Sequence, residues 1–372
     1  MNNKVKNIIV IVIFGIFIIG FMLINVLKNP MDISKSERRK LNQFPNLTLS
    51  SVLDTSFMSN FEKASLDQFI GRDIFRQIKA FFLYNVLHQK DNNDIYIVDG
   101  QVSKYDNKLN EKLIADGGRK LNKMMDKFLN NMNVYYSVIP DKNYFLAENN
   151  GYPAIDYDKF ISTLKSSVKD MTYIDIFNTL AIDDYYTTDT HWKQENIDKV
   201  VNKLGESMGF LPYLSNSYEL VDKGDFYGVY YGQSALPLKA DKLNYLTNDV
   251  LENAIVKVFD EKTMKMVESN MYNEEKLSGN DAYDLFLSGA VPLVTIENPN
   301  AKMEKELYIF RDSYGSSLAP LMVEGYSKIT LIDLRYIASN LLTNFIEFKE
   351  GSDTLFIYCV DVFNNSTMLK VF

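Results

Sequence analysis

The chain has 372 residues, 46% of them apolar and 24% charged, which is enough for one large globular domain or two small ones. Its 48 acidic and 40 basic side chains give a net charge of −8, which offers no clustered basic surface for nucleic acid. One cysteine and two histidines exclude an internal disulfide and a Cys/His metal site of the usual kind, and no metal or organic cofactor is indicated.

A nearly continuous apolar run occupies residues 8–27, after a short tail at residues 1–7. About 20 apolar residues in a helix match the hydrocarbon thickness of a bilayer, so the run predicts a single transmembrane anchor. The run ends in Asn25-Val26-Leu27-Lys28-Asn29-Pro30, which lacks the small residues of a signal-peptide cleavage site. We therefore expect an uncleaved anchor, with cleavage as the less favoured alternative.

The charges on either side of this run leave the orientation open. More lysine and arginine follows the run than precedes it, which would place the following domain in the cytoplasm. A short basic tail is, however, also typical of anchors that export the chain behind them. Residues 28–56, which are polar and basic and contain Pro30 and Pro45, are interpreted as a stalk.

The rest of the chain, residues 57–372, reads as one domain. Apolar spacing predicts two helices between residues 57 and 88, with a break near Gly71. Strands are predicted at residues 95–98, 134–139, 171–177, 307–310, 328–334 and 354–360. Helices are predicted at residues 108–131, 156–170, 193–208, 316–324 and 337–349. This alternation, with apolar strands, predicts a three-layer α/β fold whose parallel sheet is covered on both faces. Residues 212–305 interrupt the alternation and predict a mostly β insertion.

Ser313 lies between a predicted strand and a predicted helix, in the segment Arg311-Asp312-Ser313-Tyr314-Gly315. Parallel sheets bind ligands at the carboxyl ends of their strands, and a helix N-terminus favours the negative charge of an oxyanion. Ser313 is therefore a candidate nucleophile, and Gly315 would let substrate or backbone approach closely. Capping of the helix by Asp312 and Ser313 is the structural alternative.

A second segment contains Asp189 and His191, followed by Trp192 and a predicted helix. Histidine can accept the proton of a serine nucleophile, and an aspartate two residues earlier can hold its Nδ1 side. For an isolated Asp-x-His pattern, a helix start with a capping Asp189 is the alternative. Farther along the chain, Arg335 is a candidate for assisting the oxyanion or holding an acidic sugar, with a plain surface arginine as the alternative. Tyr231 and Trp192 are candidates for stacking on sugar rings, with packing in the core as the alternative.

In this order, Asp-Thr-His-Trp followed much later by a strand and Asp-Ser-Tyr-Gly, the two segments resemble the DHHW protein family. They also resemble the related alginate O-acetylation proteins, which carry SGNH-hydrolase-like domains. Thr190 stands where the family name expects a second histidine. Further similar stretches, within residues 35–372, are Glu37-Arg38-Arg39-Lys40-Leu41, Val138-Ile139-Pro140-Asp141-Lys142, Tyr283-Asp284-Leu285-Phe286-Leu287-Ser288-Gly289 and Ile332-Asp333-Leu334-Arg335-Tyr336.

The resemblance implies an SGNH-hydrolase-like, flavodoxin-like domain with Ser313 as nucleophile, His191 as base and Asp189 as its orienting acid. It also implies a single-pass protein of the cell membrane whose domain lies outside the cytoplasm and transfers O-acetyl groups to a polysaccharide acceptor. A single anchor cannot move acetyl groups across a bilayer, so a multipass membrane acyltransferase is expected to supply them. A carbohydrate esterase, and a non-catalytic glycan-binding or scaffold protein of the envelope, remain the alternatives.

Overall fold

The computed structural model describes residues 3–34 and 36–372 and divides into two compact units. The first unit comprises Met1–Asn93 and Tyr231–Leu238, and the second comprises Asp94–Tyr230 and Lys239–Phe372. The structure thus groups residues 57–93 with the N-terminal segment, whereas the sequence pattern places the start of the large domain at residue 57. Amphipathic spacing identifies a helix but not the unit against which the helix packs.

The first unit is built from helices and one short hairpin. Its elements are α1 (Asn3–Leu27), β1 (Ile33–Ser34), β2 (Arg39–Lys40), α2 (Leu49–Leu53), α3 (Ser56–Asp67), α4 (Arg72–Phe81) and a π-helical turn (Phe82–Val86). In the described part of the chain, α1 is the one helix long and apolar enough to cross a bilayer. The predicted break between α3 and α4 falls at Gly71, whose φ of 70° lies in the left-handed region that glycine adopts readily.

A cluster of charged side chains joins the β1–β2 hairpin to α3 and α4. The Arg39 guanidinium donates two hydrogen bonds to Asp67, with N–O distances of 2.8 and 2.6 Å. Arg72 donates to Glu37, and Arg76 lies 3.4 Å from a carboxylate oxygen of the same glutamate. The hydrogen bonds from Arg39 hold the pKa of Asp67 well below its usual range. The charged side of α4 therefore faces protein rather than solvent.

The second unit contains the remaining helices and strands. Its helices are α5 (Glu111–Phe128), α6 (Lys142–Leu146), α7 (Tyr157–Ser167), α8 (Asp198–Met208), α9 (Val229–Ser234, which runs into the first unit), α10 (Asp249–Glu252), α11 (Tyr314–Leu318) and α12 (Val360–Asn364). Its strands are β3 (Ile95–Val98), β4 (Gln101–Lys104), β5 (Asn133–Ile139), β6 (Thr172–Tyr173), β7 (Glu219–Phe226), β8 (Asp241–Thr247), β9 (Ile255–Asp260), β10 (Lys265–Ser269), β11 (Leu293–Glu297), β12 (Glu306–Arg311), β13 (Lys328–Ile332) and β14 (Asp353–Cys359).

An eight-stranded sheet, in the order β10-β9-β11-β13-β12-β14-β5-β6, forms the centre of this unit. The strands from β13 to β6 are parallel, while β11, β9 and β10 extend the sheet as an antiparallel edge. Residues 212–305 are thus rich in strands, as predicted. Three of those strands nevertheless belong to the central sheet, because β11 pairs directly with β13. The remaining two, β7 and β8, form a separate hairpin.

Both faces of the sheet are buried, as the apolar strands predict. Successive residues of β12 alternate between two hydrophobic clusters: Leu307 and Ile309 pack on one face, and Tyr308 and Phe310 on the other. All four side chains are at most 1% exposed. The helix predicted at residues 337–349 is instead a 3₁₀ turn over Ser339–Asn344. The next apolar residues, 345, 346 and 348, all pack on one cluster, and this spacing is not helical.

Candidate active site

Ser313 follows β12, the strand that lies between two parallel neighbours, and directly precedes α11. The preceding carboxylate, Asp312, fixes this turn. Its Oδ1 accepts a hydrogen bond from the Tyr314 N–H at 3.0 Å, and its Oδ2 accepts one from the Cys359 N–H, at the end of β14, at 2.7 Å. Ser313 itself is half-buried, so its hydroxyl is held in a rigid turn and still accessible from the edge of the sheet.

His191 is presented by a short loop that closes on itself. Tyr185 and Trp192 form an antiparallel bridge, and the Tyr186 N–H donates to the His191 carbonyl at 3.0 Å. The imidazole Nδ1 lies 2.6 Å from Asp189 Oδ1, and Nε2 lies 2.8 Å from Ser313 Oγ. The structure therefore brings the three predicted residues into one hydrogen-bonded series, although Ser313 and His191 are 122 residues apart.

The Asp189 carboxylate is oriented by backbone donors as well as by the imidazole. Its Oδ1 also accepts from the His191 N–H at 3.0 Å, and its Oδ2 accepts from the Val229 N–H at 2.8 Å. A carboxylate held in this way fixes the tautomer in which His191 Nδ1 carries the proton and Nε2 can accept one from serine. The arrangement is chemically able to generate a serine nucleophile.

Two tyrosines hold the imidazole ring from its sides. Tyr283 stacks on His191 with ring centroids 3.9 Å apart and planes 11° apart, and the Tyr314 ring lies at 4.8 Å. The Tyr283 hydroxyl is within 2.8 Å of Ser317 Oγ, so the stacking ring is itself fixed. The sequence reasoning assigned no role to Tyr283. The signal was present, because this tyrosine begins the family-like stretch at residues 283–289.

A buried carboxylate, Asp241 at the start of β8, holds the loop from behind. It accepts hydrogen bonds from the Thr187 N–H at 2.7 Å, the Thr188 N–H at 2.8 Å and the Thr188 hydroxyl at 2.6 Å. Gly228 then packs directly on the loop. A Cβ at this position would lie 2.3 Å from Asp189 Cβ and 2.3 Å from the Thr188 carbonyl oxygen. Glycine is required here because the backbone of residue 228 touches the loop that carries the acid and the base.

The replacement Gly228→Ala is expected to move Asp189 and so lower activity by about 10²-fold, the effect of a misplacement near 1 Å. The reason is that both contacts of the new Cβ involve backbone or Cβ atoms, which cannot rotate away. Hydrolysis of an acetyl ester by the purified protein measures this effect. Val229→Ala is the matched control, since it keeps the N–H that binds Asp189. Full activity of Gly228→Ala would show that the loop tolerates displacement.

Lys142, the first residue of α6 and close behind the end of β5, supports the same loop. Its side chain is 2% exposed, and its Nζ donates to the Tyr186 carbonyl at 2.8 Å and to the Thr187 carbonyl at 2.9 Å. Burial lowers the pKa of this ammonium group from its usual value to about 7. The buried lysine thus fixes two backbone carbonyl groups of the loop that carries His191.

This lowered pKa predicts a specific dependence of stability on pH. Between pH 7 and about pH 10, the unfolded chain binds a proton at Lys142 that the folded chain does not, so stability rises with pH. The slope from this one group is at most about 1.4 kcal/mol per pH unit. Denaturant unfolding of the full chain in mild detergent is expected to show this slope between pH 7 and 9.5, and Lys142→Met is expected to lose it. Parallel pH profiles for the two proteins would contradict the assignment.

Two of the other predicted site residues are packed into the interior. Trp192 is fully buried, its indole N–H donates to Ser317 Oγ at 2.9 Å, and its ring packs edge-on against Tyr314. Stacking of Trp192 on a sugar ring is therefore excluded, because no face of the indole is accessible. Gly315 lies where an added Cβ would be 2.6 Å from Arg311 Cβ, and its N–H donates to the Asp312 carbonyl at 3.1 Å. Its role in the structure is close packing at the nucleophile turn.

Of the remaining two predicted residues, Arg335 is held by a neighbouring carboxylate. Arg335 donates to both carboxylate oxygens of Asp333, at 2.9 and 2.7 Å, and Asp333 also lies 3.5 Å from the buried guanidinium of Arg311. Arg335 thus belongs to a charged cluster beneath the nucleophile turn. Tyr231 is half-buried and belongs to the first unit, so its predicted contact with a sugar stays a prediction.

A cavity of about 550 Å³ opens at the carboxyl ends of β5 and β14. Asp141, Lys142, Tyr230 and Asp361 contribute to its walls. Tyr230 also donates its backbone N–H to the Thr188 carbonyl at 2.9 Å, so the cavity wall is continuous with the loop that carries His191. Within residues 3–34 and 36–372, no three His, Cys, Asp or Glu side chains are grouped as a metal site would require.

Comparison with known proteins places this fold. No model of a known protein family matches the sequence, and no curated protein matches it either. Among solved structures, a DHHW family protein from Eubacterium siraeum is 21% identical, with a TM-score of 0.61 over 75% of this chain and 96% of that one. PatB1 of Bacillus cereus, solved with a sulfonyl adduct, is 17% identical, with a TM-score of 0.58 over 72% of this chain and 97% of that one. At these identities the likeness concerns the fold.

The O-acetyltransferase domain of Pseudomonas putida AlgJ is also similar, at 11% identity and a TM-score of 0.37. One of these neighbours is a DHHW family protein, the family named in the resemblance. The predicted α/β architecture is confirmed, and the chain shares its fold with a DHHW family protein and with PatB1.

Proposed function

We propose that this protein is a membrane-anchored serine O-acyltransferase that acts outside the cytoplasm and acetylates a cell-envelope or exported polysaccharide. The observation that carries the proposal is the series Asp189–His191–Ser313, with contacts of 2.6 and 2.8 Å. A buried Asp-His pair that contacts a half-buried serine is the arrangement by which serine enzymes activate their nucleophile. PatB1, a neighbour in fold, was solved with a sulfonyl adduct, and this supports a reactive nucleophile in the fold.

In the proposed reaction, Ser313 Oγ attacks the carbonyl carbon of an acetyl donor while His191 Nε2 takes the hydroxyl proton. The Ser313 N–H, at the start of α11, is the proposed backbone donor for the oxyanion that forms on the carbonyl oxygen. His191 then returns the proton to the leaving group, and the acetyl group remains on Ser313 as an ester. A sugar hydroxyl attacks this ester, again with His191 as the base, and releases the acetylated glycan.

The cavity beside the His191 loop is the proposed acceptor site. Its volume of about 550 Å³ is sufficient for a small number of sugar units, and Tyr230 lies in its wall. Aromatic side chains present flat apolar faces to sugar rings, while the carboxylates of Asp141 and Asp361 can accept hydrogen bonds from hydroxyl groups. Burial raises the pKa of both carboxyl groups, that of Asp141 to about 7. These acids would therefore carry less negative charge toward a glycan near neutral pH.

The proposed location follows from α1 together with the chemistry. A 25-residue apolar helix of this kind anchors a chain in a bilayer, and the acceptor polymer lies outside the cytoplasm. An acetyl donor made in the cytoplasm must then cross the membrane, so the proposed partner is a multipass membrane acyltransferase. A single anchor helix provides no pathway for acetyl groups across the bilayer.

Covalent labelling with a sulfonylating reagent tests the serine chemistry directly, and the sulfonyl adduct in the PatB1 structure makes this reagent class the first choice. We expect one adduct per chain, at Ser313, detected by peptide mass spectrometry. The matched control is Ser316→Ala, because Ser316 is a buried serine three residues away whose hydroxyl has no hydrogen-bond partner in the described structure. Labelling that persists in Ser313→Ala would contradict the proposal.

Product analysis then distinguishes transfer from hydrolysis, since both reactions pass through the same acyl-serine. The full chain is incubated with a chromogenic acetyl ester and a candidate polysaccharide. Acetylated polysaccharide identifies a transferase, whereas free acetate alone identifies an esterase. A folded protein that neither reacts with the reagent nor hydrolyses the ester would be a glycan-binding or scaffold protein.

A further inference from the structure

The helices α3 and α4 of the first unit expose apolar side chains, while Asp67, Arg72 and Arg76 turn toward the rest of the unit and are buried or half-buried. The exposed apolar face, as we call it, consists of Phe61, Phe69, Ile74, Ile78, Phe81 and Phe82, each between 38% and 61% exposed. On α4 and the π-helical turn these residues follow the spacing of one helical stripe. Contiguous apolar surface of this extent on a soluble protein marks a site of contact with a partner or a membrane.

The opposite side of α4 carries the polar contacts of the unit. Arg72 and Arg76 are bound by Glu37, and Arg76 also donates to the Gly232 carbonyl at 2.6 Å. Ala80, on the same side, is fully buried. A helix on a water-soluble domain has the reverse arrangement, with its apolar stripe inward. The apolar stripe of α4 is therefore the side that meets the surroundings of the unit.

The exposed apolar face continues onto α1. Phe21 of α1 stacks on Phe69 with ring centroids 6.0 Å apart, and Phe17, Phe61 and Phe75 line the same apolar groove. Phe17 precedes the end of α1 at Leu27 by ten residues, or about 15 Å of helix. The aromatic side chains of α3 and α4 therefore lie beside the last half of the helix proposed to span the bilayer.

Polar contacts fix this arrangement at the end of α1. The Asn25 side-chain oxygen accepts a hydrogen bond from the Ile70 N–H at 2.8 Å, and the Gln68 side-chain oxygen accepts one from the Met31 N–H at 2.8 Å. The junction between α3 and α4 is thus held against the last turns of α1. Exposed lysines, Lys63 on α3 and Lys79 on α4, are placed to reach anionic headgroups from either helix.

We infer that the exposed apolar face is embedded in one leaflet of the lipid bilayer, beside α1, as a second and monotopic membrane contact. The choice of lipid over a protein partner follows from the continuity of this face with α1, whose surroundings are lipid. This inference rests on the proposed membrane anchor and adds to it. It would hold the first unit flat on the membrane, whereas the sequence alone predicts only a stalk at residues 28–56 after the anchor.

The test uses the full chain in phospholipid nanodiscs, with a spin label at one introduced cysteine. Ile78→Cys and Phe82→Cys probe the face, Ile16→Cys probes α1, and Lys112→Cys probes an exposed position of α5 in the second unit. Collision rates with oxygen, which concentrates in lipid, and with a nickel chelate, which stays in water, are measured for each label. The unsubstituted chain, labelled in parallel, gives the background from Cys359.

The expected result is that labels at positions 78 and 82 behave like the label at 16, with nickel collision rates several-fold lower and oxygen rates several-fold higher than at 112. Nickel rates at 78 and 82 equal to that at 112 would overturn the inference while leaving the anchor intact. Low rates with both reagents would overturn it in favour of a protein covering this face. If position 16 were also accessible to nickel, the proposed anchor itself would fail.

Discussion

Alanine in place of Ser313 or of His191 is expected to lower the hydrolysis of a chromogenic acetyl ester by about 10⁴-fold or more, as removal of a nucleophile or its base does in other serine enzymes. Ser313→Ala removes the atom that carries the acyl group. His191→Ala leaves the serine hydroxyl without the acceptor that lies 2.8 Å away. The double variant is expected to be no slower than either single variant, because the two residues act as a unit.

Two controls make this result specific. Ser316→Ala removes a buried serine hydroxyl from the same helix and is expected to keep its activity. Thermal unfolding midpoints of Ser313→Ala should match those of the native chain, since Ser313 is half-buried and its side chain does not cap α11. Residual activity above about a tenth of the native rate in Ser313→Ala would show that another residue carries the chemistry.

Asp189→Asn is expected to have the second largest effect, a loss of about 10⁴-fold in turnover with little change in substrate binding. The physical reason lies in the donors around the carboxylate. His191 Nδ1, the His191 N–H and the Val229 N–H all point at Asp189 oxygens. An amide NH₂ group must face at least one of these donors, so either the imidazole changes tautomer or a backbone contact breaks.

The pH dependence separates these two outcomes. A changed tautomer leaves Nε2 protonated, and activity then recovers partly at alkaline pH, where hydroxide or alkoxide no longer needs the base. A broken backbone contact lowers activity equally at every pH and also lowers the unfolding temperature. Asp183→Asn is the matched control, because Asp183 is an exposed aspartate six residues earlier in the same segment. A loss of less than tenfold in Asp189→Asn would show that His191 does not depend on this carboxylate.

Local sequence pattern predicts where the candidate residues lie in the fold. A strand that ends at Arg311 places the next residues at the carboxyl edge of a parallel sheet, and this follows from chain direction alone. The Asp189–His191 spacing likewise predicts their contact, because two residues within a tight turn are always near each other. The meeting of these two segments depends on the whole fold, and here the family resemblance supplied what spacing could not.

The burial and contacts of individual side chains depend on tertiary packing, which is difficult to predict from a single sequence. Trp192 and Tyr283 are both aromatic residues near the site, yet one is buried behind the loop and the other stacks on the imidazole. Arg335 follows a strand end as predicted, but its guanidinium forms an ion pair with Asp333, two residues earlier. The spacing of apolar residues predicts that α4 is amphipathic, but it does not predict that the apolar side is the exposed one.

The position of β12 in the sheet also has a consequence for the order of folding. Its two hydrogen-bonded neighbours, β13 and β14, both follow it in the chain. While the polypeptide is being synthesised or exported, the strand that leads to Ser313 therefore has no partner until residue 328 emerges, and it is not enclosed on both sides until residue 359. The turn that carries Ser313 is completed only when Cys359 is in place, because the Cys359 N–H binds Asp312, so a chain truncated before residue 359 cannot form this turn in full.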